Sequence, residues 1–273
     1  MEKKELQAIL EKHQEWLEGI PGAKMAKLKN KVLKGLELNN FIFSKAEMSG
    51  SKFNGSKLNS AEFNEADLKD TDFRSAELVN AVFYGAILHN ADFRSSKLNG
   101  ADFYKADMTK ANLSDLDLSG ANLLEAILED AVLARSDLSG ANLQDSNMSG
   151  ADLMDCNMTK SNLKNTGFEK TDLLGAVFKD AYMNGTNFYK VDVSNTDFSG
   201  NAMAEVNFVK SKLNGANMSD CDLRESNFVD VDMMGANLGG ADLKGSNMVK
   251  VYLRGAHLES VDLSGVNMVK CLR

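Results

Sequence analysis

The sequence predicts an all-β solenoid preceded by one short N-terminal α-helix, and three observations predict it. Every residue whose number ends in 3 or 8, from Leu28 to Met268, is Leu, Phe, Met or Val, an unbroken series of 49 positions. The place two residues earlier is small almost throughout, and the places ending in 5 or 0 are rich in Gly, Asn and Asp. A fixed period of this kind decides the architecture of the whole chain.

Residues 1–22 lie outside the repeat. Leu6, Leu10, His13 and Leu17 fall at helical spacing with Ile9, Trp16 and Ile20 beside them, and Gly19, Pro21 and Gly22 end the pattern. An amphipathic helix here fits a cap. The first coil of a solenoid exposes apolar core and unpaired strand edge, and a helix laid across it hides both. A membrane-surface or partner-binding helix is the competing reading. Five lysines follow, Lys24, Lys27, Lys29, Lys31 and Lys34, so residues 1–35 carry a net charge of +3. They read as a solvated first coil, made irregular by Lys31 in a small place.

Residues 23–273 make the solenoid. Between Ala46 and Val266 the small place holds 21 Ala, nine Ser, five Thr, six Val and two Cys, and only Leu116 and Asn201 depart from it. The residue between small and large is mostly Asp or Asn. Small, polar, large over three residues is the in–out–in alternation of a short strand. The next two residues must turn the chain, and Gly, Asn and Asp tolerate the positive φ that a type II turn needs. A helix is excluded, because a five-residue repeat drifts around a 3.6-residue turn. The single proline, Pro21, precedes the repeat. Within it every coil must donate amide protons to the next, and proline has none.

Ala-Asp-Leu-x-x, as in Ala66-Asp67-Leu68 and Ala151-Asp152-Leu153, resembles the signature of the pentapeptide-repeat family, over about 245 of the 273 residues. The resemblance implies four repeats per coil and a right-handed, four-sided parallel β-helix. On that plan the chain makes about 12 coils, and the rod is about 59 Å long at roughly 4.8 Å per coil. Ile9-Leu10-Glu11-Lys12-His13 with Trp16-Leu17 is similar to a helical lead-in on other bacterial members. The phenylalanines support an even number of sides. Phe43, Phe53, Phe63, Phe73, Phe83, Phe93 and Phe103 recur every ten residues with Leu or Met between, which places them on two opposite walls and keeps the bore filled. Phe returns at Phe168, Phe178, Phe188, Phe198 and Phe208, an odd number of sides later, and so on the other pair of walls.

Little in the chain points to chemistry. His13 sits on the helix, His89 in a turn and His257 on an outward place some eight coils further along, so they do not converge as a catalytic site requires. Cys156 and Cys221 occupy small places on different walls and stand in for alanine, while Cys271 follows the last repeat. No phosphate loop, metal-ligand cluster or nucleophile elbow occurs. The expectation is no enzyme, no cofactor and no metal. No apolar run approaches the roughly 18 residues that read as a membrane span, and the first residues have no signal-type stretch. A cytoplasmic protein without a membrane partner is the expectation.

Residues 20 apart stack on one wall, and three columns stand out. Tyr189, Val209, Val229, Val249 and Val269 follow the core residue on successive coils, beside Asn187, Asn207, Asn227, Asn247 and Asn267. They make a nearly neutral strip that reads either as good strand chemistry or as an interface, most simply of a two-fold homodimer. Tyr84, Tyr104 and Leu124 form a second column, which either shields the turns or meets a partner. Asp72, Asp92, Asp152, Asp172, Asp192 and Asp232 form a third, read as repulsive and merely tolerated.

Two functions follow. One is a rod-like interaction or scaffold protein that self-associates through its C-terminal half. The other comes from the resemblance: some pentapeptide-repeat proteins mimic duplex DNA, bind DNA gyrase and protect it from quinolones. The overall charge of −8 less the +3 of residues 1–35 leaves −11 on the remainder. Duplex DNA of about 59 Å carries roughly 35 charges at one per 1.7 Å, and the unbroken period leaves no room for projecting loops. The rod reading is therefore preferred, and an acidic rod argues against nucleic acid as a partner.

Overall fold

The computed structural model describes residues 3–272. It is a parallel β-solenoid carrying one helix, α1, at Lys3–Leu17. Bridges join residues 20 apart along the chain, from Lys27↔Glu47 to Tyr252↔Leu272. Each coil is therefore four pentapeptides, one per wall.

The hydrogen bonds explain why the repeat is five. In the first wall Leu28 N–H donates to Glu47 of the next coil (2.7 Å) and Asn30 N–H to Ser49 (2.9 Å), while Glu47 N–H donates back to Ala26 (3.0 Å). The corner closes on itself, Lys31 N–H to Leu28 C=O at 3.1 Å. Four of the five amides in a unit are thus met by backbone. The fifth, on the first corner residue, has no backbone acceptor, and the outward Asp or Asn supplies one: Arg74 N–H donates to Asp72 Oδ1 at 3.0 Å and Met154 N–H to Asp152 Oδ1 at 3.1 Å. A buried or half-buried amide without a partner costs about 1–3 kcal/mol, so the acid of the repeat is a cap.

The second corner residue has positive φ in every turn from Asn30 to Lys270, and the first does not, which is the signature of type II turns. Gly, Asn and Asp fill most of these places, but Lys, Ser, Glu and Arg135 fill 18 of them. The turn is imposed by the ladder on both sides and overrides local preference. At Gly150 the missing Cβ leaves room for the Oδ1 of Asp130 in the coil beneath, which an added Cβ would push aside.

The bore is packed with the period-five side chains, buried from Leu28 to Leu253. Phe rings stack along two facing walls, Phe43 on Phe63 at 5.1 Å and 7°, and meet edge-to-face across the bore, Phe43 to Phe53 at 5.8 Å and 75°. The second array, Phe168 to Phe228, repeats the geometry on the other two walls. Most inward Ser, Thr and Cys donate to the corner carbonyl of the coil before, as Ser51 Oγ to Leu28 C=O at 2.6 Å.

Helix α1 ends in a Schellman motif: Ile20 N–H donates to Glu15 C=O (2.9 Å) and Gly19 N–H to Trp16 C=O (3.0 Å), with Gly19 at φ 77°. Leu6 and Leu10 are buried in the same cluster as the core of the coils. The first coil is regular, contrary to the reading from Lys31. That side chain is exposed, and its carbonyl still accepts from Lys52 at 2.9 Å.

The ladder is interrupted at two places. Between Ser95–Gly100 and Ser114–Asn122 the bridge 97↔117 is missing, and oversized Leu116 fills the small place above Ser96, whose Oγ is left unpartnered. The second lies near Asn201. Coils part at Leu116 and, beside Asn201, at 172↔192 and 177↔197, while the bridge 182↔202 next to Asn201 holds.

Candidate interaction surface

Among the described residues, continuous strands form along one wall of the solenoid. These are β1 (Asn187–Tyr189), β2 (Asn207–Val209), β3 (Asn227–Asp232), β4 (Asn247–Tyr252) and β5 (Asn267–Val269), a five-stranded parallel sheet in 20-residue register. The reason lies in two columns. Each Asn donates Nδ2–H to the Oδ1 of the Asn before it, at 2.8, 2.7, 2.8 and 2.8 Å from Asn207 to Asn267. The amides thus pair with one another along the rod. Val and Tyr at the corner prefer extended backbone, and β3 and β4 run on through it into the next wall.

Tyr189, Val209, Val229 and Val249 are half-buried, less exposed than free outward side chains, and Val269 is 42% exposed. Lys190 and Lys210 lie over the Tyr189 ring, 4.9 and 5.9 Å from its centroid. Lys190, Lys210, Lys250 and Lys270, with Asp230 among them, border the strip on one side. Glu205 and Glu225 border it on the other. The strip itself carries no charge.

The second patch is engaged with its own neighbours. Tyr84, 38% exposed, tilts against Tyr104 at 5.5 Å. Tyr104 donates its hydroxyl to Glu125 Oε1 (3.2 Å) and lies under Lys105 at 5.0 Å. Leu124 is half-buried beside them. The Asp column has a role beyond being tolerated: Asp72 and Asp92 cap turn amides and are gripped by Arg74 and Arg94 at 2.7–2.8 Å. The Arg74 contact holds the Asp72 carboxyl below its ordinary range.

On α1, His13 is buried between helix and coils. Ala26 N–H donates to its Nδ1 (3.1 Å), and its Nε2 bonds Ser44 C=O (2.8 Å). That leaves the proton on Nε2 and the ring neutral, and burial lowers its pKa. Trp16 stacks on it at 5.6 Å, and Leu17 is half-buried. A cleft of about 1010 Å³ runs along the seam, lined by Ile9, Trp16, Met25, Lys12 and Lys24 among others. Cys156 and Cys221 are buried free thiols pushed up to about 12 and about 11 by burial, and Cys271 is half-buried. Among the described residues no group of His, Cys, Asp or Glu is placed to hold a metal, and no helix is long and apolar enough to cross a membrane.

One exposed apolar group lies outside the three columns. Leu174 (70% exposed), Val177 (47%) and Tyr182 (64%) lie on a single coil. The signal was present, since Gly167, Val177 and Tyr182 replace Asp or Asn at three of its four outward places.

Family models agree with this geometry. The model described as pentapeptide repeat region matches residues 26–103, 46–123 and 172–248, and that described as pentapeptide repeats (8 copies) matches 125–159 and 236–272. The chain belongs to the pentapeptide repeat family. Among solved structures it is similar to HetL, a pentapeptide repeat protein involved in heterocyst differentiation regulation in the cyanobacterium Nostoc sp. strain PCC 7120. Identity is 22%, over 95% of this chain and 92% of that one, with a TM-score of 0.31. Full-length QnrB1, a plasmid-mediated fluoroquinolone resistance protein, is 18% identical over 90% and 92% of the two chains, TM-score 0.26. A pentapeptide repeat protein of the Arabidopsis thaliana thylakoid lumen is 24% identical over 56% and 71%, TM-score 0.15. No curated protein matches the chain.

Proposed function

We propose that this chain is a non-enzymatic interaction rod that self-associates through its C-terminal half. The observation that carries the reading is the sheet β1–β5, a flat and uncharged strip in a solenoid whose other walls are studded with ion pairs. Uncharged apolar strips of this kind mark interfaces. Charge also selects the arrangement. A two-fold axis parallel to the rod lays the Glu205–Glu225 edge of one copy against the lysine edge of the other, whereas an axis across the rod sets like charges together.

Light scattering tests this. The parent chain is expected at twice the monomer mass, and Val229→Lys at the monomer mass. Glu205→Lys with Glu225→Lys is expected to weaken the dimer, more at low salt than at high. A parent chain of monomer mass at micromolar concentration would remove self-association, and an unchanged dimer in Val229→Lys would remove the strip. The DNA-mimic alternative is tested alongside: no protection of gyrase supercoiling from a quinolone is expected, and protection at micromolar rod would favour that reading instead.

A further inference from the structure

The coil boundary between residues 172–180 and 192–199 is unlike its neighbours. One coil earlier, Leu153, Asp155, Met158 and Lys160 donate their amides to Asp172, Leu174, Val177 and Lys179 at 2.8–2.9 Å. The equivalent amides of Leu173, Gly175, Phe178 and Asp180 make no bond to the next coil, and the bridges 172↔192 and 177↔197 are missing from the series. The other two walls of the same boundary keep their bridges, 167↔187 and 182↔202, although Ala202 N–H makes no return bond to Ala181. Lys170 N–H donates to Tyr189, Met183 N–H to Ala202 and Gly185 N–H to Ala204, all at 2.9 Å.

The small place is crowded at this boundary. On the opened walls Val191 and Thr196 stack over Thr171 and Ala176, and Asn201 stacks over Ala181 at the corner where the closed wall 182↔202 begins. Thr196 is half-exposed, and between Ala46 and Val251 no other residue of that place fails to be buried. Asn201 is buried, donates Nδ2–H to Phe178 C=O at 2.8 Å and leaves its Oδ1 without a partner. The rings record the same displacement. Phe178 and Phe198 are tilted by 30°, against 10° for Phe168–Phe188 and 7° for Phe188–Phe208. Leu174 and Val177 stand exposed on the opened walls.

We propose that the rod bends at this boundary. The two closed walls are the pivot and the two open walls the mouth, so the segment carrying β1–β5 moves as a body against the segment before it. A partner that touches both segments would fix the angle.

Amide hydrogen exchange on the full chain tests the proposal. Leu173, Gly175, Phe178 and Asp180 are expected to exchange at least tenfold faster than Leu153, Asp155, Met158 and Lys160. Equal protection of the two sets overturns it. Thr196→Ala with Asn201→Ala gives these places the residue most of the others hold, and is expected to bring the fast set to the rate of the slow one. The slow set reports that the variant is folded. Fast exchange persisting in that variant overturns the crowding as cause. A disulfide between Asp172→Cys and Asp192→Cys closes one wall only. A bend of rigid segments requires that this lock also slow Phe178 and Asp180 on the adjoining wall. Slowing confined to Leu173 and Gly175 would reduce the opening to local fraying and overturn the bend.

Discussion

At the scale of the residue, the outward aspartate is the informative one. The five-residue unit leaves one amide unmet, and the side chain two places before it accepts that proton. Asp152→Ala is therefore expected to destabilise the rod by about 1 kcal/mol, and Asp152→Asn by well under half of that, because the amide oxygen still accepts. Denaturant melts of the two variants separate the readings, since a purely repulsive Asp152 would make both substitutions stabilising. The position was legible in the sequence and its purpose was not. Counting like charges down a wall describes neighbours 20 residues away, whereas the partner of Asp152 is the amide of Met154, which composition cannot display. The positive φ of Lys105, Glu125 and Arg135 was hidden for a related reason: the ladder dictates it, not the residue.

At the scale of the element, α1 is joined to the coils by a histidine whose two ring nitrogens are both engaged. Protonation would set an N–H on Nδ1 against the amide of Ala26. The folded pKa lies below the ordinary 6.5, so the contribution of His13 is fully present above pH 6.5 and is lost as the pH falls through that value toward the lowered one. Trp16, the only tryptophan of the chain, stacks on His13 and reports it. Its emission is expected to shift between pH 7.5 and 5 before the far-ultraviolet signal of the coils changes, and His13→Gln is expected to abolish that early shift. Emission that changes only together with the coils would refute a separately titrating helix. The apolar face of α1 was readable from its spacing. The contacts of His13 to Ala26 and Ser44 were not, because they join segments 13 and 31 residues away. The same holds for β1–β5. The Asn and Val columns were visible by period alone, but that they turn short bridges into strands follows from amide pairing along the rod.

At the scale of the whole molecule, the period of five fixed nearly everything, because each residue's place in the cross-section depends only on its number. The deviations were visible as well: Leu116 and Asn201 were the two misfits in the small place, and coils part at the first and on the two walls before the second. What the sequence could not state is how far they part, since that depends on whether neighbouring amides stretch or a side chain yields. The same arithmetic has a consequence for the rod as an object with faces. Because a coil is 20 residues, adding five residues at a corner rotates everything beyond it by a quarter-turn and lengthens the rod by roughly 1.2 Å, a quarter of the spacing between stacked strands. One extra unit after Gly140 is expected to leave the melting behaviour within about 1 kcal/mol of the parent while moving β1–β5 from the wall adjoining the Tyr84–Tyr104 column to the wall opposite it, which distances between labels on the two halves would register. The odd offset between the two phenylalanine arrays is such a quarter-turn already written into the core. In a molecule built this way, the direction a surface faces is a remainder on division by 20, and it can be reset without redesigning the surface itself.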